Sequence, residues 1–206
     1  RSQSHCNAVS YRNEIILKKI NMKSLFSSLL FCLAFSFGYA QNPLSAKEIM
    51  NNAFAQAKKE HKNVFVKFSA SWCGWCKKMD ASMQDPACKK SFEDNFVIVH
   101  LVVDESKDKK NLEIPGADDV RIQYNGDNKQ GIPFWFILDD KGNLLADCYM
   151  RTKGQLATEK GENVGCPASN EEVAYLLAVL MKTTSMSKSE LNIIGERFRE
   201  NQLKKQ

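Results

Sequence analysis

The chain has 206 residues and a mass of 23.4 kDa, with 43% of its residues hydrophobic and 26% charged. These ordinary globular proportions exclude a disordered tail, a collagen-like chain and a multi-span membrane protein. A formal net charge of +5 with a pI near 8.8 raises nucleic acid or an anionic membrane surface as partners until that charge is located.

Residues 25–37 form an uncharged, mostly apolar run, with Met22 and Lys23 before it and Gly38, Tyr39 and Ala40 after it. A short basic start, a short apolar core and a small-x-small exit predict a secretory signal peptide over 22–40, cut between Ala40 and Gln41. The competing reading is a retained transmembrane anchor, which wants about 20 apolar residues. Bulky Phe31 argues against a lipid anchor at Cys32. Met22 fits a start, so 1–21 reads as upstream or non-native sequence, and 41–206 is the expected mature domain. Arg1, Arg12, Lys18, Lys19, Lys23 and a single acid, Glu14, precede residue 41. The remainder holds 24 basic and 23 acidic residues, a net of +1. The reason to look for nucleic acid or anionic lipid disappears with that subtraction, and no stable membrane insertion is expected once the leader is cut.

Ser45 and Glu48 form a capping box before Ile49, Met50, Ala53, Phe54 and Ala57, so a helix is expected over about 46–60. Asn63 to Phe68 is short and rich in Val and Phe, which predicts a strand. A helix over 73–83 follows, beginning at a cysteine pair. Asp85 and Pro86 read as an N-cap and first helical position, with the helix running to about Asp94. Phe96 to Val103 is the most continuous apolar run, as expected of a strand buried on both faces of a sheet. A short helix is expected over 118–124 within the polar stretch 104–131. Pro133 opens a strand over 134–138, and a turn at 140–143 leads to a returning strand over 144–149. Residues 150–167 read as a long loop. Two further capping boxes, Ser169 with Glu172 and Ser187 with Glu190, start the last two helices. The order predicts an α/β fold with a mixed central sheet and helices on both faces.

The chemistry concentrates at Trp72, Cys73, Gly74, Trp75 and Cys76. A Cys-x-x-Cys that follows a strand and opens a helix places its first sulfur among unpaired backbone N–H groups at the positive end of the helix dipole. That environment favours thiolate. The second cysteine lies one turn on, within reach of a disulfide. Cys73 is thus the expected nucleophile and Cys76 the resolving thiol. Zinc would want two further ligands at suitable spacing. Cys88, Cys148, Cys166, His61 and His100 are scattered, and no metal site is expected. A purely structural disulfide is the other plain reading.

The run from Val64 to Met79 around this motif resembles the active-site segment of the thioredoxin superfamily, in particular exported bacterial members with a Trp-Cys-Gly-Trp-Cys centre. Gly131, Ile132, Pro133 and Phe134 resemble that family's cis-proline loop. The likeness covers about 45–149 and the last helices more loosely. It implies a thioredoxin-like fold with an insertion at about 150–167 and an extra C-terminal helix. It also implies a cis Pro133 beside the disulfide and an Ile132 backbone able to pair with a substrate strand. The reading without it is a trans proline at a strand's first residue.

Two departures from the family stand out. Lys67 occupies the place of a buried acid six residues before the first cysteine, and His100 the place of a lysine on the next strand. Both are expected near Cys76, tuning its thiolate. The competing reading has Lys67 extending its amine to solvent. Gly74 and Trp75 replace the common Gly-Pro. Trp72 and Trp75 fit an apolar rim for peptide substrates, and a core role for Trp72 is also open.

Five cysteines follow residue 40, an odd number that leaves at least one thiol free or paired between molecules. A bridge between Cys148 and Cys166 would close the 149–165 loop, while Cys88 reads as a partly buried thiol. The expected function is a periplasmic or secreted thiol–disulfide oxidoreductase, with a reductase favoured. It would act on protein or peptide thiols and disulfides and draw electrons from an upstream redox partner. No cofactor is expected beyond the Cys73–Cys76 dithiol. The alternatives are a peptide-binding module without redox turnover and a periplasmic copper-binding dithiol protein.

Overall fold

The structure is a computed structural model and describes residues 43–203. The expected leader, its cleavage point and the 1–21 stretch lie outside the described residues. A four-stranded sheet runs through the domain in the order β2-β1-β3-β4, built from β1 (Asn63–Ser69), β2 (Phe96–Val102), β3 (Phe134–Leu138) and β4 (Leu144–Asp147). β1 and β2 are parallel, while β3 is antiparallel to both β1 and β4. The mixed sheet expected from the order of elements is therefore present.

Continuous burial from Val64 to Phe68 and along all of β3 requires cover on both faces. On one face, Phe65 stacks on Trp135 and meets Phe96 edge-on, and Phe92 bridges Phe96 to Phe198. Phe68, Phe134, Phe136 and Tyr124 pack together on the other. Each such ring buried in full contributes roughly 1.5–3 kcal/mol by removal from water.

The run expected to be buried on both faces is instead the edge strand. β2 pairs with β1 alone among the described strands, and His100 in it is exposed. Apolar continuity reflected its inward packing and its neighbours, and the central place belongs to β1, a strand of the same length.

Helix α1 (Ala46–Glu60) starts at the Ser45 capping box with both reciprocal bonds formed, and buries Met50, Ala53 and Ala57. Helix α2 (Gly74–Met83) begins immediately after Cys73. Helix α3 (Lys89–Asn95) starts three residues later than Asp85 and Pro86 suggested. Asp85 accepts a side-chain bond from the N–H of Ala87 and binds Arg197, so 85–88 is a separate turn rather than a first helical turn. A 3-10 helix over Lys107–Leu112, which has no amphipathic signature, precedes helix α4 (Ala117–Gln123).

The expected strand over 144–149 breaks at Cys148. Tyr149 and Met150 form β5, which pairs with β6 (Glu162–Asn163) inside the supposed loop. Helix α5 (Asn170–Thr183) starts at the Ser169 box, and α6 (Lys188–Leu203) starts where Ser187 and Glu190 exchange bonds. α6 packs on α2, and Asn201 bonds Ser82 across the contact at 2.9 Å. The C-terminal helix is thereby anchored to the helix that carries the cysteine pair. Among the described residues no helix is long and apolar enough to cross a membrane.

Candidate active site

Strand β1 ends at Ser69, and the chain turns through 70–72 into α2. Cys73 is the N-cap of that helix. Its sulfur accepts the Cys76 N–H at 3.1 Å and is joined to Cys76 Sγ. The helix start therefore directs a donor at the sulfur expected to act as nucleophile, the local geometry that stabilises a thiolate.

The approach to Cys73 is held from the end of β2. Glu105 is buried and accepts both the Ser71 N–H, at 2.5 Å, and the Ser71 hydroxyl, at 2.8 Å. The Trp72 indole donates to the Asp104 carbonyl at 2.8 Å, and Arg121 grips the Asp104 carboxylate with two bonds. Sequence reasoning missed Glu105. Its signal was faint: an acid directly after an apolar strand, where a polar loop is expected anyway.

Trp72 is 58% exposed and Trp75 37% exposed, so both form rim rather than core. Lys78 lies over the Trp75 ring at 4.5 Å. Opposite them, the Ile132–Pro133 peptide bond is cis, and the Ile132 carbonyl oxygen stands 3.6 Å from Cys73 Sγ. Ile132 packs with Ala70, Cys73 and Cys76. A cleft of about 330 Å³ runs alongside, lined by Trp75, Ile132, Pro133, Asn163, Cys166 and Glu172 among others.

Lys67 and His100 are cross-strand partners on β1 and β2. The side chain of Lys67 is 0% exposed, which overturns the reading in which its amine reaches solvent. Its ammonium pairs instead with Asp80, one helical turn beyond Cys76. His100 Nδ1 lies 3.8 Å from the same Asp80 oxygen. Asp80 is thus the residue that gathers the two expected tuning groups, and sequence reasoning passed over it. Its i+4 spacing from Cys76 was the available signal, but only the tertiary position of Lys67 makes it count. Burial lowers the Lys67 pKa, and the Asp80 bond and charge offset this in part. Desolvation and the Lys67 charge lower that of His100, against the pull of Asp80.

The bridge considered between Cys148 and Cys166 is not formed; both are buried free thiols, as is Cys88. Each is tied to a different partner. Cys148 Sγ faces the Trp135 N–H at 3.5 Å, and Cys166 Sγ faces Asn201 Nδ2 at 3.6 Å. Cys88 has no exposed surface at all, rather than the partial exposure expected. Burial raises all three pKa values, with Cys88 pushed up to about 11 and Cys166 to about 12. Site-resolved alkylation of the reduced, folded protein at neutral pH should therefore modify Cys73 or Cys76 at least tenfold faster than these three. Equal rates in the folded state would contradict this protection. Among the described residues no group of three or more His, Cys, Asp or Glu side chains is placed to hold a metal ion.

A mixed sheet flanked by helices, with a cysteine pair at the start of the helix after the central strand, defines a thioredoxin-like fold with two C-terminal helices. Residues 46–140 match the family model described as thioredoxin-like. Similar solved structures include a disulphide isomerase from Xylella fastidiosa Temecula1, at 20% identity over 55% of this chain and 79% of that one, with a TM-score of 0.42. The C-terminal domain of DsbD from Neisseria meningitidis, in the oxidised form, is 20% identical over 58% of this chain and 90% of that one, with a TM-score of 0.37. An oxidoreductase named DsbH is 20% identical over 68% of this chain and 84% of that one, also with a TM-score of 0.37. No curated protein matches the chain.

Proposed function

We propose that the protein is a thiol–disulfide oxidoreductase that reduces protein or peptide disulfides in an exported compartment. The observation that carries this reading is the Cys73–Cys76 disulfide at the start of α2, with the Cys76 N–H aimed at Cys73 Sγ and an accessible cleft beside it. In the reduced protein, the Cys73 thiolate attacks one sulfur of a substrate disulfide. The substrate bond breaks, its second sulfur leaves as a thiolate and takes a proton, and a mixed disulfide remains. Cys76, once deprotonated, attacks Cys73 Sγ and releases the first substrate sulfur as a thiol. Two electrons have passed to the substrate, and the protein holds its own disulfide. An upstream dithiol partner restores the dithiol by the same exchange in reverse.

Trp72 and Trp75 provide the apolar rim on which a peptide rests. Pro133 has no N–H to offer, and the Ile132 backbone gives a substrate strand its pairing point. Lys67 and His100 act on Cys76 through Asp80, which sets the local charge one turn further along α2.

Equilibration against glutathione redox buffers tests the direction. A reductase should poise near the value of about −270 mV typical of thioredoxin, and a value near about −120 mV would mark an oxidant instead. Turnover of insulin disulfides under dithiothreitol tests the substrate class. Its absence would favour a peptide-binding module without redox turnover.

A further inference from the structure

The segment 163–166, absent from the expected minimal fold, lies directly behind the 130–133 loop. Asn163 Nδ2 donates to the Gln130 carbonyl at 2.9 Å and stands 3.3 Å from the carbonyls of both Gly131 and Pro133. Its Oδ1 accepts the Gly165 N–H at 3.0 Å, which fixes the orientation of the amide. Gly165 is left-handed, at φ 57°, and a Cβ there would stand 3.4 Å from the Pro133 oxygen and 3.7 Å from its Cδ. Its carbonyl accepts the Trp135 indole at 2.7 Å, and Val164 N–H bonds the Cys148 carbonyl at 3.0 Å. The segment is thus fixed to β3 and to the strand break at Cys148 before it touches the loop.

One carbonyl is left out of this grip. Asn163 engages those of residues 130, 131 and 133, on both sides of Ile132, while the Ile132 carbonyl points to Cys73 Sγ at 3.6 Å. Irregular backbone of this kind has no ladder to hold it, and its carbonyls need partners. A single carboxamide supplies them and fixes the peptide planes that flank Ile132.

We propose that Asn163 is a positioning residue for substrate. It holds the 130–133 loop so that the Ile132 backbone presents a bound peptide disulfide to Cys73 in register. This rests on the proposed oxidoreductase reading. Loss of the amide frees the loop without touching either sulfur. It therefore affects substrates that use the backbone and spares those that do not.

The test is single-turnover oxidation of the reduced protein, followed by tryptophan fluorescence. It uses two disulfides: a disulfide-bonded peptide and the small hydroxyethyl disulfide, which has no backbone to pair. Asn163→Ala should lower the second-order rate with the peptide about tenfold and leave that with hydroxyethyl disulfide within about twofold. The equilibrium constant of Cys73–Cys76 with glutathione should be unchanged. Should Asn163→Ala fail to fold, Asn163→Asp carries the same comparison, because it keeps the acceptor for Gly165 and removes the donor. Equal loss with both disulfides, or no loss with the peptide, overturns the role of Asn163. Unaltered protein that oxidises with hydroxyethyl disulfide but not with the peptide overturns the substrate reading itself, and is seen before any variant is made.

Discussion

Cys73→Ser should abolish disulfide turnover, with a loss of at least about a thousandfold, while Cys76→Ser should stop after one chemical step and accumulate a mixed disulfide with substrate. The asymmetry follows from position. Cys73 caps α2 and receives the Cys76 N–H, whereas Cys76 lies within the first turn. Mass spectrometry of the two variants after exposure to a disulfide-bonded peptide separates the cases. A trapped adduct on Cys73→Ser, with none on Cys76→Ser, would reverse the assignment of nucleophile and resolving thiol.

The second large effect concerns the buried lysine. Asp80→Ala should cost about 2 kcal/mol of stability, because it leaves the Lys67 ammonium buried without its carboxylate. This is below the usual figure for a fully buried pair, since Asp80 is 39% exposed and water screens part of the interaction. Lys67→Met should cost less than about 1 kcal/mol. It removes the charge that is expensive to bury and leaves behind a carboxylate that water can reach. In the double variant Asp80→Ala should add little to Lys67→Met. Urea unfolding of the four proteins completes the cycle, and equal costs for the two single changes would sink the account.

The same pair fixes a sign for the thiols. Lys67→Met leaves a net negative charge near Cys76 and should raise the thiol pKa values; Asp80→Ala leaves a net positive charge and should lower them. Shifts in one direction for both variants would detach the pair from the cysteines. A pH dependence of stability follows as well. The folded-state Lys67 pKa lies below its ordinary 10.5. Between those two values the unfolded chain binds more protons, so stability rises with pH across that window. For His100 the folded value lies below 6.5, and stability falls as pH drops through 6.5 toward it. Lys67→Met should flatten the alkaline rise and keep an acid fall.

Much of the fold was legible because its signals are local. The capping boxes at Ser45, Ser169 and Ser187 start three helices where three-residue spacing said they would. The runs 63–68 and 134–138 became the two central strands. Misreadings came where tertiary partners decide. Asp85 is drawn to Arg197 on α6, which delays α3. The strand over 144–149 breaks at Cys148, where Asp147 accepts the Tyr149 N–H and Arg151. Spacing alone cannot say whether two cysteines point at each other, and Cys148 and Cys166 face different partners. At the site, the sulfurs were visible as a motif, and Lys67 as a charge within a run of Val and Phe. Asp80, Glu105 and Asn163 were not, because each acts on a loop or strand distant in sequence.

The three sealed thiols also bear on how the chain reaches its native state in an oxidising medium. An unfolded chain offers every cysteine to every other, and a wrong bridge would trap it. Cys73 and Cys76 are separated by only three positions. Chain closure is least costly for so short a loop, so this pair meets more often than any other among the described cysteines. The correct bridge is thereby also the statistically favoured one. As β3 and the helices assemble, Cys88, Cys148 and Cys166 pass out of reach of oxidants.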